Sequence, residues 1–142
     1  MRLLHLPSRR ELTFLSTHFD LHPPAITGAA RLLQGWAQAA AQAGPVILCG
    51  DFNAPKDSPA YRQMTGDGPL RDVYRQLHPA SQAEATFHGY GDPAALASID
   101  WILASAHFQV LSAAVDATLP GGRYPSDHYP LNAVLGLQPV EQ

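Results

Sequence analysis

A long amphipathic helix with a short strand-like run on either side of it constrains this chain most. Ile26, Ala29, Ala30, Leu33, Trp36, Ala37 and Ala40 recur at helical spacing. Pro23-Pro24 blocks continuation of the preceding segment, and Pro24 suits the first turn of a helix. Gly44-Pro45 is a stop signal. A helix is therefore predicted over Ala25–Ala43, with the recurring apolar residues turned to the core. Before it, Leu12–Thr17 is rich in β-formers and reads as a strand. After it, Val46–Cys49 is wholly apolar, as strands buried on both faces are. Strand, helix, strand points to an α/β or layered fold.

Downstream, short helical pieces are expected around Ser58–Met64 and Leu70–Leu77, and a loop over Ser81–Ala97, broken by Gly89, Gly91 and Pro93. Ser98–Leu103, Phe108–Val115 and Pro130–Leu137 read as strands, with a loop starting at Pro120-Gly121-Gly122. At 142 residues the chain has the length of one domain. The net charge of -3 is no basic footprint and argues against avid, non-specific nucleic-acid binding. The single Cys49 excludes an intrachain disulfide and any multi-cysteine metal site, and its apolar neighbours predict a small buried hydrophobe. No apolar run approaches bilayer-spanning length. The stretch from Met1 to Pro7 is too short and polar for a signal peptide. The compartment stays open.

Four polar clusters sit at the ends of these elements. Gly50-Asp51-Phe52-Asn53 directly follows an apolar strand. In extended backbone Asp51 and Asn53 point the same way, and a carboxylate beside an amide suits a hard cation and a phosphate together. The plainer reading is a turn, which Asp and Asn favour after strands. In Ser126-Asp127-His128-Tyr129-Pro130, three adjacent residues cannot converge as a Ser-His-Asp triad. A histidine there reads as a metal ligand or a general acid/base, or simply as a loop end. Asp100, inside the apolar Ser98–Leu103, faces away from Ile99, Trp101 and Leu103. Buried, it needs a partner, for which a histidine is natural; on an edge strand it would face water. Thr17-His18-Phe19-Asp20 ends the first strand. His18 and His22 stand four apart, but Pro23-Pro24 argues against a helical zinc pair. His5, His78, His88 and His107 read as surface or packing residues.

The order of these clusters resembles the endonuclease/exonuclease/phosphatase superfamily, which includes deoxyribonuclease I, abasic-site endonucleases, sphingomyelinases, inositol phosphatases and poly(A) deadenylases. The resemblance runs from about Glu11 to Leu137. Thr86-Phe87-His88-Gly89 and Gly122-Arg123-Tyr124-Pro125 are most similar to small bacterial members with deadenylase-like sequences. The resemblance implies that His18 contacts the scissile phosphate, that Asp51 binds or activates the attacking water and touches the metal, and that Asn53 holds a phosphate oxygen. It implies that Asp100 pairs with a catalytic His128 and that Asp127 belongs to the metal site. Catalytic residues are then His18, Asp51, Asn53, Asp100 and His128; His18 and Asn53 bind substrate; Asp51, Asn53 and Asp127 serve the metal. The implied cofactor is Mg2+ or Mn2+, and the implied activity is in-line hydrolysis of phosphodiesters or phosphomonoesters. Nucleic acid is one candidate substrate.

The resemblance also implies the C-terminal half of a four-layer α/β/β/α sandwich, α/β in class (α+β), with one mixed or mainly antiparallel sheet and flanking helices. Residues 1–142 then form one partial domain. The family's upstream asparagine and metal-binding glutamate have no counterpart before Glu11, and Glu11 itself precedes the strand bearing His18. An exposed apolar sheet face is expected, covered by a missing N-terminal half or by a homodimer. Two alternatives to an enzyme stand: a catalytically incomplete remnant, and a module that binds phosphate without cleaving it.

Overall fold

The computed structural model describes residues 1–66, 68–79 and 85–139. Strands β1 (Arg2–His5) and β2 (Arg10–His18) form an antiparallel hairpin. Helix α1 (Pro23–Ala43) then crosses back, and β3 (Val46–Asp51) runs parallel to β2. The expected strand–helix–strand unit is therefore present. β1 is an addition that the short Arg2–His5 run does not announce.

Helix α2 (Pro59–Thr65) follows, with the Ser58 hydroxyl capping the Tyr61 N–H. Residues 70–77 divide into β4 (Leu70–Asp72) and helix α3 (Val73–Leu77), not the single helical piece expected. Asp72 ends the one and caps the other, accepting the Arg75 N–H at 3.0 Å. The predicted loop 81–97 is a loop where described, with a 3-10 turn at Pro93–Ala95; residues 81–84 lie outside the described residues. β5 (Asp100–Ser105) inserts between β3 and β4, antiparallel to both. The main sheet is thus mixed, with order β1-β2-β3-β5-β4. β6 (Phe108–Val115) and β7 (Leu131–Leu137) form a separate antiparallel pair.

Three layers result. α1 and α2 cover one face of the main sheet, where Leu33, Leu48, Phe52, Met64, Trp101 and Leu103 make one core. Phe52 stacks on Trp101 with ring centroids 4.1 Å apart. Each large side chain fully buried there contributes roughly 1.5–3 kcal/mol. Small Ala30 and Ala37 let α1 lie close to the sheet. Trp36, expected in the apolar stripe, is 55 % exposed. It neighbours Ala37 in sequence and so sits about 100° around the helix from it, outside a contact that close. On the other face the β6–β7 pair packs through Phe108, Val110, Ala113 and Leu135 against Ile47, Ile102 and Ala104. That second layer is small. Ile47 and Cys49 are half-buried, not enclosed on both faces as the apolar run of β3 predicted.

Candidate phosphoester site

Strand register assembles the first part of the site. His18 pairs with Asp51 across β2–β3, and Asp51 pairs with Asp100 across β3–β5. Three residues 33 and 49 positions apart in the chain thus stand in one row at one end of the sheet. Glu11 lies on β2 at the opposite end from His18, against Arg2 at 3.6 Å. Close approach at this row requires Gly50, whose φ is +150°. A Cβ there would stand 1.9 Å from the Thr17 carbonyl oxygen.

Beyond Asp51 the chain turns sharply. Asn53 has φ +46°, so Asp51 and Asn53 are not aligned by an extended pleat as the two-residue spacing suggested. They meet through a turn: the Asp51 Oδ1 accepts the Asn53 N–H at 2.8 Å. The Asn53 amide nitrogen donates to the Phe19 carbonyl at 2.8 Å, and the Phe19 N–H donates to the Asp51 carbonyl at 2.9 Å. The turn reading and the functional reading of these residues are therefore compatible. One turn spends Asp51 Oδ1 and leaves Oδ2 available.

The second part arrives from the far end of the chain. His128 Nδ1 donates to Asp100 Oδ2 at 2.8 Å. An ionised carboxylate only accepts, so the proton on this edge belongs to the imidazole. His128 Nε2 then points toward Asp51 Oδ2 at 3.9 Å, while His18 Nε2 lies 3.4 Å from the same oxygen. Both gaps exceed a good hydrogen bond. Two imidazole edges and one carboxylate oxygen thus converge on one spot. Exposure is graded: His18 is 74 % exposed, His128 26 % and Asp51 15 %. Asp51, Asp100 and His128 also line an open cleft of about 420 Å3, whose lining includes Cys49, Ile102 and Leu131. Burial pushes the Cys49 thiol up, and a hydrogen bond from Ser16 opposes this only in part.

Asp51, Asp100 and His128 each bring one ligand atom within 4.8 Å of the others. Asp127 does not join such a group among the described residues. Its carbonyl accepts the His88 and Gly89 N–H groups at 2.9 and 3.2 Å, and its carboxylate lies 3.4 Å from the Ser126 hydroxyl. Two supports of His128 escaped the sequence reading. Ser126 Oγ accepts the His128 N–H at 3.1 Å, and the Phe87 ring centroid lies 5.0 Å from the imidazole. Both belong to quoted motifs, but nothing local tells a supporting side chain from a neighbour.

The sequence profile of the endonuclease/exonuclease/phosphatase family matches residues 5–128. No curated protein matches the sequence. Among solved structures, a mannosyl-6-phosphatase from Bacteroides thetaiotaomicron superposes with a TM-score of 0.79 at 25 % identity, covering 96 % of this chain and 55 % of its own. An endonuclease/exonuclease/phosphatase from Bacteroides vulgatus gives 0.79 at 26 %, over 96 % and 54 %. The human Nocturnin catalytic domain, which carries a bound sulfate, gives 0.73 at 26 %, over 96 % and 51 %. This chain spans about half the length of the structures it resembles.

Proposed function

The chain belongs to the endonuclease/exonuclease/phosphatase family, and on that premise we propose that it carries the reacting face of a divalent-metal-dependent phosphoesterase. The observation that carries this reading is the convergence of His18 Nε2 and His128 Nε2 on Asp51 Oδ2, with Asp100 behind His128. In-line attack needs a base for water and donors for the phosphoryl oxygens. In this reading Asp51 Oδ2 accepts the proton of an attacking water, and His18 and the Asn53 side-chain amide donate to a phosphoryl oxygen. His128, held by Asp100, faces the same spot with its Nε2 edge and serves as general acid/base or as a donor to the charged phosphate.

The donor chemistry fits a hard cation through the Asn53 amide oxygen and through Asp51, whose Oδ2 carries two lone pairs, one for the cation and one for the water it activates. Asp100 is already engaged by His128, and an imidazole nitrogen is a poor magnesium ligand. We take Asp51, Asn53 and Asp127 as the metal-facing residues, Asp127 on the strength of the family motif that also carries His128. Mg2+ or Mn2+ bound there would supply positive charge to the phosphoryl group. Magnesium prefers six oxygens, so further ligands must come from water, substrate or another segment.

A second reading follows from the coverage. A chain spanning 55 % of the mannosyl-6-phosphatase it resembles would bind phosphate yet await the rest of a complete domain, from a further segment or a second chain. One experiment separates the two. The chain, Asp51→Asn and His128→Ala are assayed on an activated phosphodiester and an activated phosphomonoester, with magnesium, manganese or chelator. The enzyme reading expects metal-dependent turnover, reduced roughly 10²-fold or more in each variant, the scale of general acid–base catalysis. Turnover that survives chelator, or is equal in all three proteins, overturns it. No turnover from folded wild-type protein supports the incomplete-domain reading.

A further inference from the structure

Thr86 lies between the two segments that carry Asp100 and His128, and its polar atoms touch both. It is fully buried, at 0 % exposure. Its hydroxyl oxygen accepts the Ile99 N–H at 3.2 Å and the Asp100 N–H at 3.1 Å. Its carbonyl accepts the Tyr129 N–H at 2.7 Å. One residue therefore binds the backbone of Asp100 on one side and the residue after His128 on the other. The next two residues continue the seam. Phe87 bridges to Ala97 and to His128, and the His88 N–H holds the Asp127 carbonyl.

Backbone accounting says why a hydroxyl sits here. Asp100 opens β5, and Ile99 precedes it. Both residues are half-buried, and amides at the start of a strand that face protein rather than water need an acceptor from outside the ladder. Valine has nearly the shape of threonine and would fill the space, but would leave both N–H groups without this acceptor. The acceptor, not the volume, accounts for threonine.

We propose that Thr86 is a positioning residue for the Asp100–His128 pair. By fixing the Asp100 backbone against the His128 segment, it keeps Asp100 Oδ2 within hydrogen-bond reach of Nδ1. That contact keeps the neutral imidazole proton on Nδ1 and leaves Nε2 free to face Asp51. The inference rests on the reading of this pair as part of the reacting site, but its test requires neither metal nor turnover.

The test is the tautomer of His128 in the full chain, read from the 15N shifts of its ring nitrogens at an alkaline pH where imidazoles are neutral. His128→Gln assigns the signal, and Asp100→Ala, which removes the carboxylate outright, shows what loss of the contact looks like. Wild-type protein should show Nδ1 protonated. Thr86→Val should shift His128 toward a mixture of tautomers, and Thr86→Ser, which keeps the hydroxyl, should restore the wild-type pattern. Thr86→Cys, of similar size but weakly accepting, replaces the valine variant if that chain does not fold. Met64→Ala, a cavity in the core beneath α1 and α2, controls for general loosening and should leave the His128 signal in place. A wild-type pattern in Thr86→Val or Thr86→Cys, a lost pattern in Thr86→Ser, or an equal shift in Met64→Ala would each overturn the proposal. A tautomer that tracks Thr86 in a chain without turnover would sink the enzyme reading and leave this one standing.

Discussion

Gly50 shows how one residue sets the spacing of a site. Its missing side chain lets β3 lie against the Thr17 carbonyl, and that approach brings Asp51 opposite His18. Gly50→Ala forces a Cβ into backbone at a positive φ. We expect it to lose about 2–4 kcal/mol of stability in urea unfolding. A change within about 0.5 kcal/mol, the range of ordinary surface substitutions, would show that the strands can part without strain. Cys49, two residues before Asp51, lies half-buried on the cleft wall. Its pKa is raised by burial. Below the ordinary thiol value both folded and unfolded chains keep the proton, and this group gives stability no pH dependence. As pH rises through that value the unfolded chain ionises first, so the contribution to stability is lost with rising pH. The matching expectation is slower alkylation by iodoacetamide in the folded than in the urea-unfolded protein. Equal rates would place the thiol in water.

At the scale of elements, a buried ion pair joins the loop after β3 to the β4–α3 junction. Lys56 Nζ lies 2.9 Å from Asp72 Oδ2, and both side chains are 3 % exposed. The Tyr61 hydroxyl donates to the same carboxylate oxygen at 2.9 Å, which brings α2 into the network. The strand and helix meet at Asp72, where sequence periodicity suggested one helical piece, because its carboxylate caps α3 while its backbone pairs with Leu103. Removing one charge leaves the other buried. Lys56→Met should cost about 3–5 kcal/mol, measured by chemical denaturation. A loss below about 1 kcal/mol would mean that water reaches Asp72 in solution.

At the scale of the whole molecule, the thin second layer governs solution behaviour. β6–β7 turns Val110, Ala113 and Leu135 inward. Its outer face carries Leu111 and Val134, each 55 % exposed, with Leu111 lying over Gly136. Adjacent exposed apolar side chains favour association. Sedimentation at rising concentration should show self-association, which Leu111→Lys with Val134→Lys suppresses. Stability should stay within about 0.5 kcal/mol of wild type. A large loss of stability on dissociation would instead show that the folded monomer depends on its neighbour. No helix among the described residues is long and apolar enough to cross a membrane.

Local spacing alone was enough for α1, β2, β3 and β6, because helix and strand periods are set by residues a few positions apart. The order of the His18, Asp51, Asp100 and His128 clusters was likewise legible, and the need of a half-buried carboxylate for a partner follows from desolvation. Tertiary structure decided the rest. Only strand register puts His18, Asp51 and Asp100 in one row, and only packing of the chain's far end brings His128 to Asp100 across 28 positions. The β1 hairpin, the exposed face of Trp36 and the half-buried Cys49 were decided there too. Each depends on which surface lies opposite, and that partner surface is distant in sequence, beyond the reach of any periodic pattern.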